Sequence, residues 1–117
     1  MNIEEFREYC LSKPHVTECF PFDEDTLVFK VMGKMFSLTS LSEKPFNINL
    51  KCDPELALSL RETHTCVLPG YHMSKKHWNT IIADGTVNDD VLQKWIDHSY
   101  ELVVASLPLK LRGMIRK

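Results

Sequence analysis

The residues best equipped for chemistry crowd into one decapeptide, Tyr71-His72-Met73-Ser74-Lys75-Lys76-His77-Trp78-Asn79-Thr80. Lysine ammonium groups neutralise phosphates, an asparagine amide hydrogen-bonds a base edge, and tyrosine or tryptophan stacks on an unpaired base. The group therefore suits a polyanion. Lys30 in the first strand of a predicted hairpin and Lys34 in its turn add two more cations of the same use. A plainer reading is that Tyr71 and Trp78 anchor the loop while Lys75 and Lys76 only keep it in water, as loop charges commonly do. The formal net charge of −2 gives no general attraction to a polyanion, so any such contact has to come from a local patch.

Other candidate groups carry less. His64, Cys66, His72 and His77 are of metal-ligating type, but their spacings fit no compact zinc motif. Asp23-Glu24-Asp25 lacks the spaced ligands and the glycine of a calcium loop and reads as a hydrated turn. No glycine-framed serine, catalytic cysteine context, phosphate loop or dinucleotide fingerprint occurs. No residue is assigned to catalysis, to a metal or to a cofactor. Ser99, in His98-Ser99-Tyr100, reads as a small packing residue within the last predicted helix. Lys110, Arg112, Arg116 and Lys117 give that helix a basic end, which complements its negative pole.

The elements that must position these groups follow from periodicity. Ile3, Phe6 and Cys10 recur at helical spacing over residues 3–13, behind a capping pair of Asn2 and Glu5, and Pro14 stops the helix. Residues 16–22 favour an extended segment that Pro21 confines to a sheet edge or end. The runs 26–32 and 35–39 are β-rich and separated by Gly33-Lys34, which predicts a hairpin. Leu27, Phe29 and Val31 alternate with Val28, Lys30 and Met32, so both faces of this hairpin are largely apolar and each calls for a cover. Residues 46–52 alternate strictly, with Phe46, Ile48, Leu50 and Cys52 toward the core. Asp53-Pro54-Glu55 starts a helix that reaches about Thr63. Short strands follow at 66–68 and 78–82, and a final helix capped by Asn88 runs until Pro108 breaks it.

The order is thus α, about four strands, α, two strands, α. Short links favour antiparallel pairing, so the expected class is α+β, an antiparallel sheet with helices packed on it. At 117 residues, 44% apolar and 26% charged, the chain has ordinary globular composition and reads as one domain over 1–117. No apolar run approaches the roughly 20 residues of a membrane helix, and the acidic start lacks the basic flank of a secretory signal. A cytoplasmic location is expected. Cys10, Cys19, Cys52 and Cys66 each fall within an apolar pattern and read as reduced core thiols.

Four stretches stand out together: Val28-Phe29-Lys30-Val31 with Gly33-Lys34-Met35-Phe36, Asn49-Leu50-Lys51-Cys52-Asp53-Pro54-Glu55, Pro69-Gly70-Tyr71-His72-Met73 with Lys75-Lys76-His77-Trp78-Asn79-Thr80, and Asp97-His98-Ser99-Tyr100-Glu101-Leu102-Val103. With them the chain resembles the MmcQ/YjbR family of small bacterial proteins. The likeness covers nearly the whole chain in order, and Ser74 departs from the family's more frequent asparagine. It implies a CyaY-like or secretion-chaperone-like α+β fold with a double-wing arrangement, and the DNA-binding label given to the family rests on analogy of fold.

Three readings stand side by side. In the first the protein binds DNA through Lys30, Lys34, Tyr71, His72, Lys75, Lys76, His77, Trp78 and Asn79. In the second it holds a protein partner on an exposed sheet or helix face, with Met32, Met35 and Met73 as an adaptable surface. In the third a small ligand sits among His72, His77 and Tyr100.

Overall fold

The computed structural model describes residues 1–71 and 73–115. Its elements are α1 (Ile3–Leu11), β1 (Val16–Cys19), β2 (Thr26–Val31), β3 (Lys34–Ser40), β4 (Asn47–Lys51), α2 (Pro54–Thr63), β5 (Val67–Pro69), β6 (Trp78–Ile82), α3 (Asp89–Ser106) and α4 (Leu109–Ile115). The six strands form one sheet in the order β1-β2-β3-β4-β6-β5, antiparallel throughout. The fold class is the α+β layer expected from the sequence.

The helices start where the sequence sets their caps. Asn2 and Glu5 form a reciprocal capping box, Asp53 accepts from the Leu56 amide with Pro54 in the first turn, and Asn88 accepts from the Val91 amide. All four helices bring side chains to one face of the sheet. Phe6 and Cys10 of α1 and Leu92, Ile96, Tyr100 and Val103 of α3 interlock there with Phe29, Phe36, Ile48 and Ile81. Leu60 of α2 and Ile115 of α4 pack against that cluster from outside. Phe6 meets Phe29 edge to face at 5.4 Å, and Phe36 meets Tyr100 in the same way at 5.4 Å.

Differences from the expected boundaries have local causes. The first helix ends at Leu11, two residues early, with Ser12 as its cap, and the edge strand ends at Cys19. The hairpin turn is Met32-Gly33 instead of Gly33-Lys34, because both residues take positive φ, 49° and 83°, as a two-residue turn of matching twist requires. A register shift follows at Phe29/Lys30, where Phe36 is the extra residue. This bulge lets both Phe36 and Ser37 face the helices, against simple alternation. Beyond Pro108 the chain forms a further short helix, α4, which the sequence reading omitted.

The β3–β4 ladder is short, pairing only Ser37 with Leu50 and Leu38 with Asn49. Beyond it, the Ser99 hydroxyl from α3 donates to the Phe36 carbonyl and accepts from the Lys51 amide at 2.9 Å. Ser99 therefore does more than pack. It supplies the hydrogen bonds that the splayed strands cannot give each other. Along the same helix Asp97 accepts from the Tyr9 hydroxyl at 2.6 Å and pairs with Lys13, clasping the end of α1 to α3.

Candidate functional site on the open face of the sheet

Among the described residues no helix lies on the second face of the sheet. Val28, Leu38 and Trp78 form a small apolar cluster there, flanked by Cys19, Met35 and Met73. The expectation that both hairpin faces need a cover holds for one side only. Strand register gives this open face two ends. The strand positions at Val31, Lys34, Lys51 and Trp78 mark one end, and those at Thr26, Ser40, Asn47 and Ile82 the other, whichever face each side chain takes.

The first end is basic. Lys30 lies opposite Met35, and Lys51 lies opposite Trp78, so both share the open face with those partners. Lys75 and Lys76 stand exposed in the loop leading into β6. Among the described residues neither forms an ion pair with a carboxylate, and the Lys75 ammonium approaches only the Gly70 carbonyl, at 3.4 Å. Lys34 is separated from this group. Its ammonium reaches Ser106 of α3 at 3.4 Å, on the helix side, because the turn pairs Lys34 with Val31, whose side chain lies in the helix-side core. The expectation that Lys30 and Lys34 share one surface is thereby corrected.

Two further sequence candidates turn inward. Asn79 is 1% exposed, and its amide accepts from Arg61 Nε at 2.7 Å while donating to the Ala57 carbonyl at 3.4 Å. Arg61 also donates to the carbonyls of Trp78 and Lys75. Asn79 is consequently a structural tie between α2 and β6, and no base edge can reach it. Trp78 is 8% exposed and fills the open-face cluster instead of offering a stacking surface. His77 is exposed, and its carbonyl accepts from the Cys52 amide at 2.8 Å. Tyr71 is 63% exposed. His72 lies outside the described residues.

The other candidates find structural roles. Tyr100 is buried against Phe36 with its hydroxyl donating to the Pro14 carbonyl at 2.8 Å, so it and His77 do not line a common cavity. His64 sits edge to face on Trp95 at 5.1 Å, and Cys66 is buried in the main core. All four cysteines are free thiols, three of them buried, and burial raises Cys10 to about 12 and Cys52 to about 11. Such thiols stay protonated and unreactive at neutral pH.

The second end of the open face holds a cavity of about 570 Å3. Its floor is Leu38, Asn47, Asn49 and Thr80, and its walls include Phe22 and Pro45 on one side and Leu68 and Met73 on the other. The acidic turn builds one wall. Asp23 accepts from the amides of Asp25 and Thr26 at 2.9 and 2.6 Å, and Asp25 accepts from the Ser42 amide and hydroxyl, both at 2.9 Å, and from the Ser40 hydroxyl. These hydrogen bonds hold both carboxyl groups below the usual carboxylate range. Carboxylates depressed in the folded state stabilise it above their unfolded value and lose that contribution as the pH falls through the folded one. Exchange of the Thr26 and Ser42 amides, corrected for intrinsic rate, should stay level from roughly pH 5 to 8 and accelerate below about pH 4. Level exchange down to about pH 2 would show that these carboxylates do not hold the wall.

Lys51 and Asn49 were absent from the sequence candidates. Their signal was the alternation of β4, which sets Asn47, Asn49 and Lys51 on the face opposite Ile48 and Leu50. That this face is open, and walled by loops distant in sequence, is a tertiary property.

The family model described as YjbR matches residues 11–102. The chain belongs to the YjbR family. Among its relatives, YbdF of Escherichia coli O157:H7 is 37% identical over 97% of this chain and 93% of its own length. YjbR of E. coli K12 is 33% identical over 98% of each chain. Both relatives are uncharacterized proteins. The crystal structure of Deinococcus radiodurans DR2400, a DUF419 domain, superposes with a TM-score of 0.91 at 39% identity, covering 97% of this chain and 87% of that one. A Pseudomonas syringae crystal structure superposes at 0.75 with 28% identity, covering 87% of this chain and 98% of that one. The Pro69-Gly70-Tyr71 and Lys75-to-Thr80 stretches that carry the YjbR likeness thus border the open face. Among the described residues no helix of this YjbR-family chain is long and apolar enough to cross a membrane.

Proposed function

We propose that this YjbR-family protein is a non-catalytic binding domain that takes nucleic acid at the basic end of its open sheet face. The carrying observation is charge segregation within a chain of net charge −2. Lys30, Lys51, Lys75 and Lys76 gather at one end, with no carboxylate partner among the described residues, while at the other Asp23, Asp25 and Glu43 outnumber Lys44. Lysines left uncompensated release counterions when they meet phosphates, which makes affinity fall with salt. Tyr71 and His77 are exposed beside them. Trp78 and Asn79 serve this reading only by fixing the loop. With base-reading amides turned inward, the contacts are to phosphate and carry little sequence preference.

The test is binding to random duplex and single-stranded DNA across a salt series. Affinity should drop steeply as salt rises, and K75A/K76A should reduce the slope of log affinity against log salt by about two. No binding at low salt, or an unchanged slope in the double variant, would refute the proposal.

A further inference from the structure

We infer that the cavity at the opposite end of the open face binds a small uncharged planar heterocycle that carries both a ring C=O and a ring N–H. This site is separate from the lysine end and does not depend on the nucleic-acid reading.

Its floor is ordered by a hydrogen-bond chain whose direction is fixed. The Tyr71 amide can only donate, and it does so to the Thr80 hydroxyl at 3.0 Å. The Thr80 hydroxyl in turn donates to Asn49 Oδ1 at 2.6 Å. Asn49 therefore turns its oxygen to Thr80 and keeps its NH2 group for another partner. Asn49 is 7% exposed, and Nδ2 has no acceptor among the described residues. It is nevertheless not among the buried side-chain atoms sealed from solvent without a partner, of which the described residues hold only Arg112 Nε. The opening available to a floor residue in mid-sheet is the cavity itself. Two residues earlier on the same strand and face, Asn47 donates Nδ2 to the Pro45 carbonyl at 3.1 Å, which can only accept. Asn47 Oδ1 is thereby left as an acceptor. The floor thus presents one donor and one acceptor, held about 7 Å apart at the backbone.

The rest of the cavity selects the body of the ligand. About 570 Å3 falls in the range of small-molecule sites, roughly 300 to 1,000 Å3. The walls are largely apolar, and Phe22 and Tyr71, 67% and 63% exposed, stand at the rim where aromatic rings can lie against a flat ligand. Asp23 and Glu43 outnumber Lys44 at this rim, so a carboxylate or phosphate gains nothing there, and apolar walls penalise any charge. An uncharged ring with a C=O for Asn49 and an N–H for Asn47 satisfies both amides without that penalty.

Uridine, inosine and riboflavin supply the ring C=O and N–H, and 2-naphthalenemethanol supplies a flat apolar body without them. On the wild-type protein, titration followed by 15N-resolved NMR should show at least one of the three heterocycles moving the Asn49 side-chain NH2 signals, with saturation below millimolar concentration. The naphthalene compound should bind at least tenfold more weakly. Asn49→Asp keeps the acceptor for Thr80 but removes the donor, and should weaken the heterocycle at least tenfold. K75A/K76A should bind it as wild type does, which separates this site from the nucleic-acid one. The inference is overturned if none of the three moves the Asn49 signals at millimolar concentration, if the naphthalene compound binds equally well, or if a folded Asn49→Asp binds unchanged.

Discussion

Replacing Ser99 with alanine should lower the unfolding free energy by about 2 to 4 kcal/mol, since the buried Phe36 carbonyl loses a partner at about 1 to 3 kcal/mol and the part-buried Lys51 amide loses one at the low end of that range. The Ser99 hydroxyl bridges the Phe36 carbonyl of β3 and the Lys51 amide of β4, where the strands have parted beyond a ladder of two residue pairs. Ser99 is fully buried, so water does not step into its place. Against a total stability of roughly 5 to 15 kcal/mol this is a large fraction, and the thermal midpoint should fall by roughly 10 °C. Ser59→Ala, on the exposed side of α2, is the control and should change stability by less than about 0.5 kcal/mol. Denaturant unfolding of the two variants measures both. A Ser99→Ala protein within about 0.5 kcal/mol of wild type would mean that the bridge carries no net stability.

Gly70→Ala should be nearly as damaging, by about 1 to 3 kcal/mol, for a steric reason. A Cβ at Gly70 would lie 2.7 Å from Trp78 Cβ and 2.9 Å from the Trp78 carbonyl oxygen. The Gly70 amide donates to that same carbonyl at 2.9 Å, and the adjacent Pro69 pairs with Asn79 across β5 and β6. Backbone cannot yield here without opening the strand pair. Because Trp78 belongs to the open-face cluster and Lys75 follows in the same loop, the substitution should also weaken the DNA binding proposed above, beyond its cost in stability. Gly113→Ala, where an added Cβ meets nothing within 4 Å inside α4, should be neutral or gain up to about 1 kcal/mol. Equal stabilities for the two alanine variants would disprove the steric account.

Which parts of this were legible in the sequence follows from where the information sits. Caps are local, and Asn2, Asp53 and Asn88 could be read directly. The alternation of β4 is also local, and it separated Ile48 and Leu50 from Asn49 and Lys51. The hairpin turn was displaced by one residue because Met32 adopts a positive φ that its side chain does not advertise. Polarity misled at Asn79, since its amide and Arg61, 18 positions apart, satisfy each other inside the fold. At Ser99 the error ran the other way, a polar role read as mere packing, because the two partners of its hydroxyl lie 63 and 48 positions away. Lys34 resembled Lys30 in sequence, yet the Met32-Gly33 turn pairs Lys34 with core-facing Val31 and Lys30 with Met35, so the two point to opposite sides. The cavity had no sequence signature at all, because its floor, its acidic wall and its Leu68 to Met73 wall meet only after the sheet is assembled.

The two outermost strands bear on how copies of this molecule meet one another. β1 is four residues long and presents Glu18, held in a bidentate pair with Arg7, while β5 is three residues long and ends in Pro69, which has no N–H to give. Neither offers a long row of unpaired amides, so crowding should not drive these molecules to polymerise by extending one sheet into the next.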